Sequence, residues 1–343
     1  MTSKRLILRL SSLGDVILAT SSLQTSQSSR TFDWVILKDY ADLIQHHPQI
    51  QHLWAYDRGS GFQGWVQLCR QLWEARYDEV CDLHGSLRTQ LMRLLFLSWS
   101  FRERRAMPLW SGISKERHRL LPYYILKAFW PKALRPSPWV VRAAKLVGGT
   151  GQERPNLAHL LSSPDVPMGA WSGKKYICVM PSSHWKGKKW PVDHYHRVLQ
   201  QLSYFPVILG AKTDAESFEL CRKLQAAGIP HFSGVGLWNL RQTAQILKGS
   251  QGYLGGDTGI AHLAEAVGVP AKVIFGPTQP DMGFGPWRSD SQAIGSSLWC
   301  RPCGKDGRAC FRVSQKFLCL KTLSPEVVLK AMDNPGPDTL GAR

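Results

Sequence analysis

The sequence predicts an α/β protein of two successive domains, each a parallel sheet wound with helices on both faces. Three observations carry this. The 343 residues suffice for two domains of ordinary size, each with its own core. Short apolar runs alternate with segments of helical period, the pattern of a parallel sheet covered on both faces. The alternation also stops between residues 134 and 174, where Pro136, Pro138, Pro155, Pro164 and Pro167 cluster with glycines and serines, and then resumes.

Residues 5–10 (RLILRL) read as the first strand, 11–15 (SSLGD) as its loop and 16–23 as a helix. Similar units follow: strand 34–37 before a helical start at Asp39, and strand 79–83 before His84-Gly85-Ser86 and a helix. One helix-like piece, 139–146, stands in the presumed interdomain passage. Beyond it come strands 175–180 and 205–209 and a helix over 213–227, ended by Gly228 and Pro230. Residues 239–248 read as a helix, and 251–255 and 271–275 as strands. A last helix opens at Ser324 with Pro325 in its first position. The expected domains are 1–160 and 174–330, with a flexible tail at 334–343, rich in Pro and Gly. No internal repeat is visible in residue identity.

A hydrophobic share of 43% and a charged share of 20% are those of a globular protein, and no apolar run reaches eighteen residues. Arg5 and Arg9 interrupt the first apolar stretch, unlike a signal peptide, so a cytoplasmic location is expected. Cys69, Cys81, Cys178 and Cys221 are scattered singly, like small core residues. The net charge of +18 predicts attraction to nucleic acid, an anionic membrane or an acidic small molecule.

The most informative stretch is GGDTGIAHLAEAVGVP, residues 255–270. Ile260, Leu263, Ala264 and Val267 recur at i, i+3, i+4 and i+7, and Gly268 with Pro270 stops the helix. Its first turn falls at Asp257-Thr258-Gly259, with His262 one turn on. Such a terminus exposes N–H groups and the positive end of the helix dipole, which suits a phosphate. A simple N-cap by Asp257 or Thr258 explains the same residues. Two neighbours favour a ligand: the turn FGPT at 275–278 and the loop PSSHWKGKKWP at 181–191, both at carboxyl ends of strands. The loop brings Ser182 and Ser183 together with Lys186, Lys188 and Lys189, a candidate diphosphate clamp.

Taken in order, SSLGDVILATSSL near the start, KKWP in the middle and GGDTGIAHLAEAVGVPAKVIFGPTQP near the end resemble the ADP-heptose:lipopolysaccharide heptosyltransferases, glycosyltransferase family nine. DLHGSLRT, residues 82–89, is similar to the family's DxQGxxRS stretch, with His84 where glutamine is usual. The resemblance implies a GT-B fold, two Rossmann-like doubly wound domains facing a central cleft. The C-terminal domain would hold the nucleotide sugar and the N-terminal domain the acceptor. It implies that Asp257, Thr258, Gly259 and His262 lie at the donor, with Ser182, Ser183, Lys188 and Lys189 opposite. Asp214 is a candidate for the nucleotide ribose, where some relatives have a glutamate. His84, Arg88 and Arg119 are acceptor candidates.

Asp15 follows Gly14 at the carboxyl edge of the first strand, where it suits a general base; it also suits an N-cap of the next helix. The resemblance assigns it to deprotonating the acceptor hydroxyl while the anomeric carbon is attacked opposite the diphosphate, giving inversion. Lys188, Lys189 and the helix at Thr258 would stabilise the leaving diphosphate. No Asp-x-Asp pair is present, and no cofactor is expected for transfer.

From Gly85 to Lys145 the chain carries thirteen Lys and Arg against Glu103 and Glu116, interleaved with Phe96, Trp99, Phe101, Trp110, Tyr123, Tyr124, Phe129 and Trp130. This mixture suits an anionic membrane surface and a phosphorylated glycolipid of lipid A-core type, and equally a solvated basic surface over an aromatic core. No nucleic-acid-binding motif accompanies the charge, so nucleic acid is not an expected partner. Cys300, Cys303, Cys310 and Cys319 have the number and type of ligands for a structural zinc; free thiols or a redox pair fit as well. The reading is an inverting heptosyltransferase acting from ADP-heptose on a lipid-linked lipopolysaccharide core. Rival readings are another nucleotide sugar, or a catalytically silent binding protein on the same fold.

Overall fold

The computed structural model describes residues 3–24, 31–162, 166, 171–304 and 306–333. The expected flexible tail, 334–343, lies outside the described residues. The chain forms two compact units: Met1–Lys115 with Trp139–Leu160, and Glu116–Pro138 with Leu161–Arg343.

In the first unit five parallel strands stand in the order β3-β2-β1-β4-β5: β1 (Arg5–Leu8), β2 (Phe32–Leu37), β3 (Ile50–Tyr56), β4 (Glu79–Asp82) and β5 (Leu109–Gly112). All six residues of β2 are buried, as both faces of a parallel sheet require. One face packs Leu6, Leu8, Val35 and Leu37 against Trp65, Leu68, Leu72 and Trp73 of α2 (Gly61–Glu74) and Met92 and Phe96 of α3 (Leu87–Glu103). Elsewhere in the unit, α1 (Leu13–Ala19) packs with α5 (Trp139–Leu146). The helix foreseen at 139–146 thus belongs to the first unit's core, where Trp139, Val140, Ala143 and Ala144 are buried, and is not a passage between domains.

The second unit has six parallel strands in the order β11-β10-β9-β6-β7-β8: β6 (Tyr176–Met180), β7 (Phe205–Ile208), β8 (Phe232–Ser233), β9 (Tyr253–Gly256), β10 (Ala271–Phe275) and β11 (Gln292–Gly295). Numbered from its own first strand, that is the doubly wound order 3-2-1-4-5-6. The chain order reverses between β6 and β9 here, and between β1 and β4 in the first sheet. Helices α6 (Val192–Leu199), α7 (Ala215–Ala226), α8 (Leu240–Lys248), α9 (Gly259–Ala266), α10 (Leu318–Lys321) and α11 (Pro325–Asp333) complete the unit. Trp190, Tyr195, Leu220, Leu254 and Leu320 form part of one core cluster, and the Trp190 indole donates to Leu323 O at 3.0 Å.

Residues 116–138, including α4 (Arg117–Leu126), group with the second unit rather than with the stretch 1–160 that was expected to stay whole. The tethers are polar. Lys127 Nζ donates to Cys300 O at 3.1 Å and Pro302 O at 3.0 Å, Tyr123 to Gln279, and Arg135 pairs with Asp281. Part of the basic stretch therefore serves to hold the second unit together instead of adding to an acceptor-domain surface. Among the described residues, no helix is long and apolar enough to cross a membrane.

Candidate functional site

Both constellations singled out in the sequence sit at the point of their sheet where strand order reverses. Helices on opposite faces leave a crevice there, outside the carboxyl ends of the strands.

In the second unit the loop after β6 carries Ser182, Ser183, Lys188 and Lys189, and the turn after β9 carries Asp257 and Thr258. Lys188 Nζ reaches Asp257 Oδ2 at 2.7 Å, and Thr278 Oγ1, from the turn after β10, donates to the same oxygen at 3.0 Å. Loops from three strands adjacent in the sheet thus meet at one carboxylate. Two glycines allow this. A Cβ on Gly256 would lie 2.5 Å from Lys188 O, and one on Gly187 would lie 2.4 Å from Gly307 O, so the backbones close only without side chains. Thr258 takes the N-cap position of α9 with extended backbone, but its side chain makes no capping hydrogen bond. Its hydroxyl faces Tyr253 Oη at 3.4 Å instead. Asp257 is held by Lys188 and Thr278, so neither side chain satisfies the first turn of α9, and the simple-cap reading does not account for these residues.

His262, buried on α9, stacks on Trp287 with ring centroids 5.6 Å apart and planes at 19°. Glu265, one turn further, fixes that partner: Oε1 accepts the backbone N–H of Trp287 and of Arg288, both at 3.0 Å. Burial pushes the Glu265 carboxyl up to about 7, against the lowering effect of those backbone donors. Neither Glu265 nor Trp287 stood out in the sequence. Glu265 looks like one more polar residue of an amphipathic helix, and the stack joins segments twenty-five residues apart.

Lys189 and Ser182 converge on a second acid. Lys189 Nζ lies 2.5 Å from Glu216 Oε1, and Ser182 Oγ lies 3.4 Å from Glu216 Oε2 and 3.0 Å from Ser217 Oγ. The ribose candidate Asp214 is engaged locally instead, accepting Ala211 N at 2.7 Å beside the start of α7. Glu216, two residues on, is the carboxylate that joins Lys189 and Ser182, and sequence reasoning passed over it. It also missed Arg301, whose buried guanidinium donates to Phe275 O and Thr278 O at 3.0 Å each, and to Gly276 O and Ser296 O. That fan of bonds holds the FGPT turn in place.

In the first unit α1 begins at Leu13 with Ser12 as N-cap, so Asp15 stands in its first turn and is not the cap. Asp15 Oδ2 accepts Ser12 N at 3.2 Å and Ser12 Oγ at 2.9 Å and pairs with Arg9 Nη2 at 2.5 Å. Burial acts against ionisation, but the Arg9 charge and the Ser12 donors outweigh it and hold Asp15 below the usual carboxylate range. All these bonds fall on Oδ2. Arg9 also donates to Leu83 O at 2.6 Å, tying the end of β1 to the end of β4, and lies over the Trp139 ring. His84 follows there, half-buried, with its imidazole pushed down to about 4 by burial and the Arg9 charge. It is neutral at physiological pH. Arg88 is exposed on α3, 6.0 Å from the Tyr56 ring centroid. The third acceptor candidate, Arg119, is in the second unit, where its guanidinium donates to Arg135 O at 3.5 Å.

The four late cysteines share one neighbourhood. Burial and the nearby Cys319, Cys300 and Cys310 push Cys303 up to about 11. All are free thiols, and among the described residues no group of three or more His, Cys, Asp or Glu is placed to hold a metal ion. The zinc reading gains no support from this geometry.

Residues 65–310 match the family model described as glycosyltransferase family 9 (heptosyltransferase). The chain belongs to that family. Among curated relatives, lipopolysaccharide heptosyltransferase 1 of Pseudomonas aeruginosa is 27% identical over 98% of this chain and 99% of its own length. Among solved structures, a family 9 glycosyltransferase from Veillonella parvula superposes with a TM-score of 0.71 at 18% identity, covering 97% of each chain. Escherichia coli heptosyltransferase WaaC with ADP-2-deoxy-2-fluoro heptose superposes at 0.68 and 18% identity, covering 96% of this chain and 99% of that one. The family 9 fold expected from the sequence is thus present: GT-B-like, with two Rossmann-like parallel sheets.

Proposed function

We propose that this family 9 member transfers heptose from ADP-heptose, with inversion, to a lipid-linked lipopolysaccharide core acceptor. Curated relatives named as lipopolysaccharide heptosyltransferases align with nearly the whole chain, which supports the reaction. The observation that carries the site assignment is the junction of Lys188, Asp257 and Thr278 beside the start of α9.

In this reading the second unit binds the donor. Lys188 has one donor on Asp257 and two more for the diphosphate, and the first-turn N–H groups of α9 add dipole stabilisation as negative charge develops on the leaving ADP. Lys189, Ser182 and Ser183 line the other side of the phosphates, and Glu216 is placed for the ribose hydroxyls. His262, stacked on Trp287, borders the sugar. The first unit provides the base. Asp15 is held ionised by Arg9, with its bonds on Oδ2, so Oδ1 is the oxygen that takes the acceptor proton. Neutral His84 and cationic Arg88 flank it toward an acidic core saccharide. The chemistry needs a base and an electrostatic clamp on the leaving group, and these residues fill both roles. The enzyme would work at the cytoplasmic face of the inner membrane as a peripheral protein, drawn by its charge of +18 to anionic lipid.

Thermal unfolding in the presence of a panel of nucleotide sugars tests the donor. ADP-heptose is expected to raise the melting temperature. A shift with a different nucleotide sugar and none with ADP-heptose would overturn the assignment.

A further inference from the structure

Helix α3 has two apolar faces, and only one of them is packed. Thr89, Met92 and Phe96 are buried against the first unit's core, with Trp99 partly buried beside them. A helix lying on a domain should be polar on the opposite side. Here Leu87, Leu94, Leu97 and Phe101 recur at i, i+7, i+10 and i+14, which brings them to one stripe, and they are 84%, 63%, 56% and 90% exposed. Gln90 and Ser98, both uncharged, are the other residues on that stripe. Arg93 flanks it on one side and Arg88 and Arg102 on the other, with Arg104 at the helix end, all exposed. The one acid of the helix, Glu103, stands at its exposed C-terminal end on the side away from the stripe, accepting from Trp73 Nε1 at 2.8 Å and pairing with Arg70 at 2.5 Å. The stripe is thus a row of large apolar side chains with cations on both margins and no anion.

We propose that this face of α3 is the surface by which the protein docks on a bilayer containing anionic lipid. The four apolar side chains enter the acyl boundary, and the flanking arginines meet lipid phosphates. Charge selects the occupant. A second copy docked through the same face would bring arginine margins against arginine margins. An anionic headgroup layer over hydrocarbon matches both the margins and the stripe. The proposal deepens the reading of a lipid-linked acceptor and rests on it: α3 starts one turn after His84, so the helix that begins at the candidate acceptor residues also presents the lipid face.

The test uses the full chain with vesicles of neutral phosphatidylcholine, alone or mixed with phosphatidylglycerol. Wild type is expected to sediment with the mixed vesicles, and the double variant Leu94→Glu/Phe101→Glu to lose at least tenfold in partitioning with an unchanged melting temperature, because both side chains are solvent-exposed. Phe62→Glu, at another exposed apolar residue off this helix, is expected to bind as wild type. Transfer to a vesicle-borne acceptor should fall with binding, and transfer to a deacylated, water-soluble acceptor should stay within twofold. Equal vesicle binding by wild type and double variant would overturn the surface even if transfer from ADP-heptose is observed. Loss of a wild-type dimer in the variant would reassign the face to a second copy and overturn it too. Loss of vesicle binding in the variant together with no transfer from ADP-heptose by wild type would leave the surface standing and sink the donor reading.

Discussion

Half-buried Asp15 and buried Glu265 are carboxyls moved in opposite directions, and the neighbours explain both. Asp15 lies against the Arg9 guanidinium, which favours the charged form. At Glu265 burial dominates over the opposing backbone donors, the Ser291 hydroxyl and the Arg288 charge. A base held below the ordinary range is weak in the ground state but is always ionised at working pH. The acid limb of kcat/KM assigned to Asp15 is therefore expected below the usual carboxylate range. Asp15→Asn keeps the shape and removes the proton acceptor; transfer should fall by about 10²- to 10⁴-fold with donor affinity unchanged, read by steady-state kinetics and titration calorimetry. Near-normal turnover would remove Asp15 from the role.

For Glu265 the folded value near 7 lies above the ordinary 4.5. Between those values the folded protein holds a proton that the unfolded chain has released, so stability falls as pH rises from about 4.5 to about 7 and levels off above. Glu265→Gln should erase that slope. Melting temperatures of the two proteins across the window check it, and parallel curves would refute the assignment. Because Glu265 fixes Trp287 against His262, the variant should also alter donor affinity more than it alters turnover.

At the scale of elements, the site depends on close backbone approach at the ends of β6, β9 and β10. Gly256 is one of the tight positions beside these loops, since a methyl there would lie 2.5 Å from Lys188 O. Gly256→Ala is expected to cost about 1–3 kcal/mol by overpacking and to weaken donor binding by displacing the lysine loop. Denaturant titration and donor titration read the two effects separately; unchanged values in both would show that the loop moves freely. Arg301 acts on the same turn from behind. Its cation is exchanged for no carboxylate in the described contacts, only for backbone carbonyls, so its task is to fix the FGPT turn and hence Thr278 on Asp257. The turn motif was legible in the sequence, but the residue that holds it was not.

At the scale of the whole molecule, each unit places its candidate site residues at its own strand-order reversal, with the candidate base in one and the candidate donor residues in the other. A donor binding the second unit stabilises it by mass action: at about 100 times Kd the gain is about 2.7 kcal/mol. Calorimetry should show the shift in the transition that reports the second unit, and Lys188→Met should abolish it with little change in the ligand-free transition. A shift retained in Lys188→Met would move the donor site elsewhere.

Much of this was legible in the chain because it is local. Period and breakers placed α9 between Asp257 and Gly268, the alternation revealed parallel sheets, and GGDTGIAHLAEAVGVP with KKWP pointed to family 9. Edge strands such as β3 and β5 were missed, since half-exposed edges carry mixed sequence without the apolar run of a central strand. Tertiary structure alone decided which acid answers each lysine, that Glu216 rather than Asp214 joins Lys189 and Ser182, and that residues 116–138 pack with the second unit. It alone separated the packed face of α3 from the exposed one, because both read as apolar. Helical period and turn chemistry act over a few residues and are written along the chain, whereas ion pairs, stacks and close backbone approaches join segments tens of residues apart and exist only once the sheets have formed.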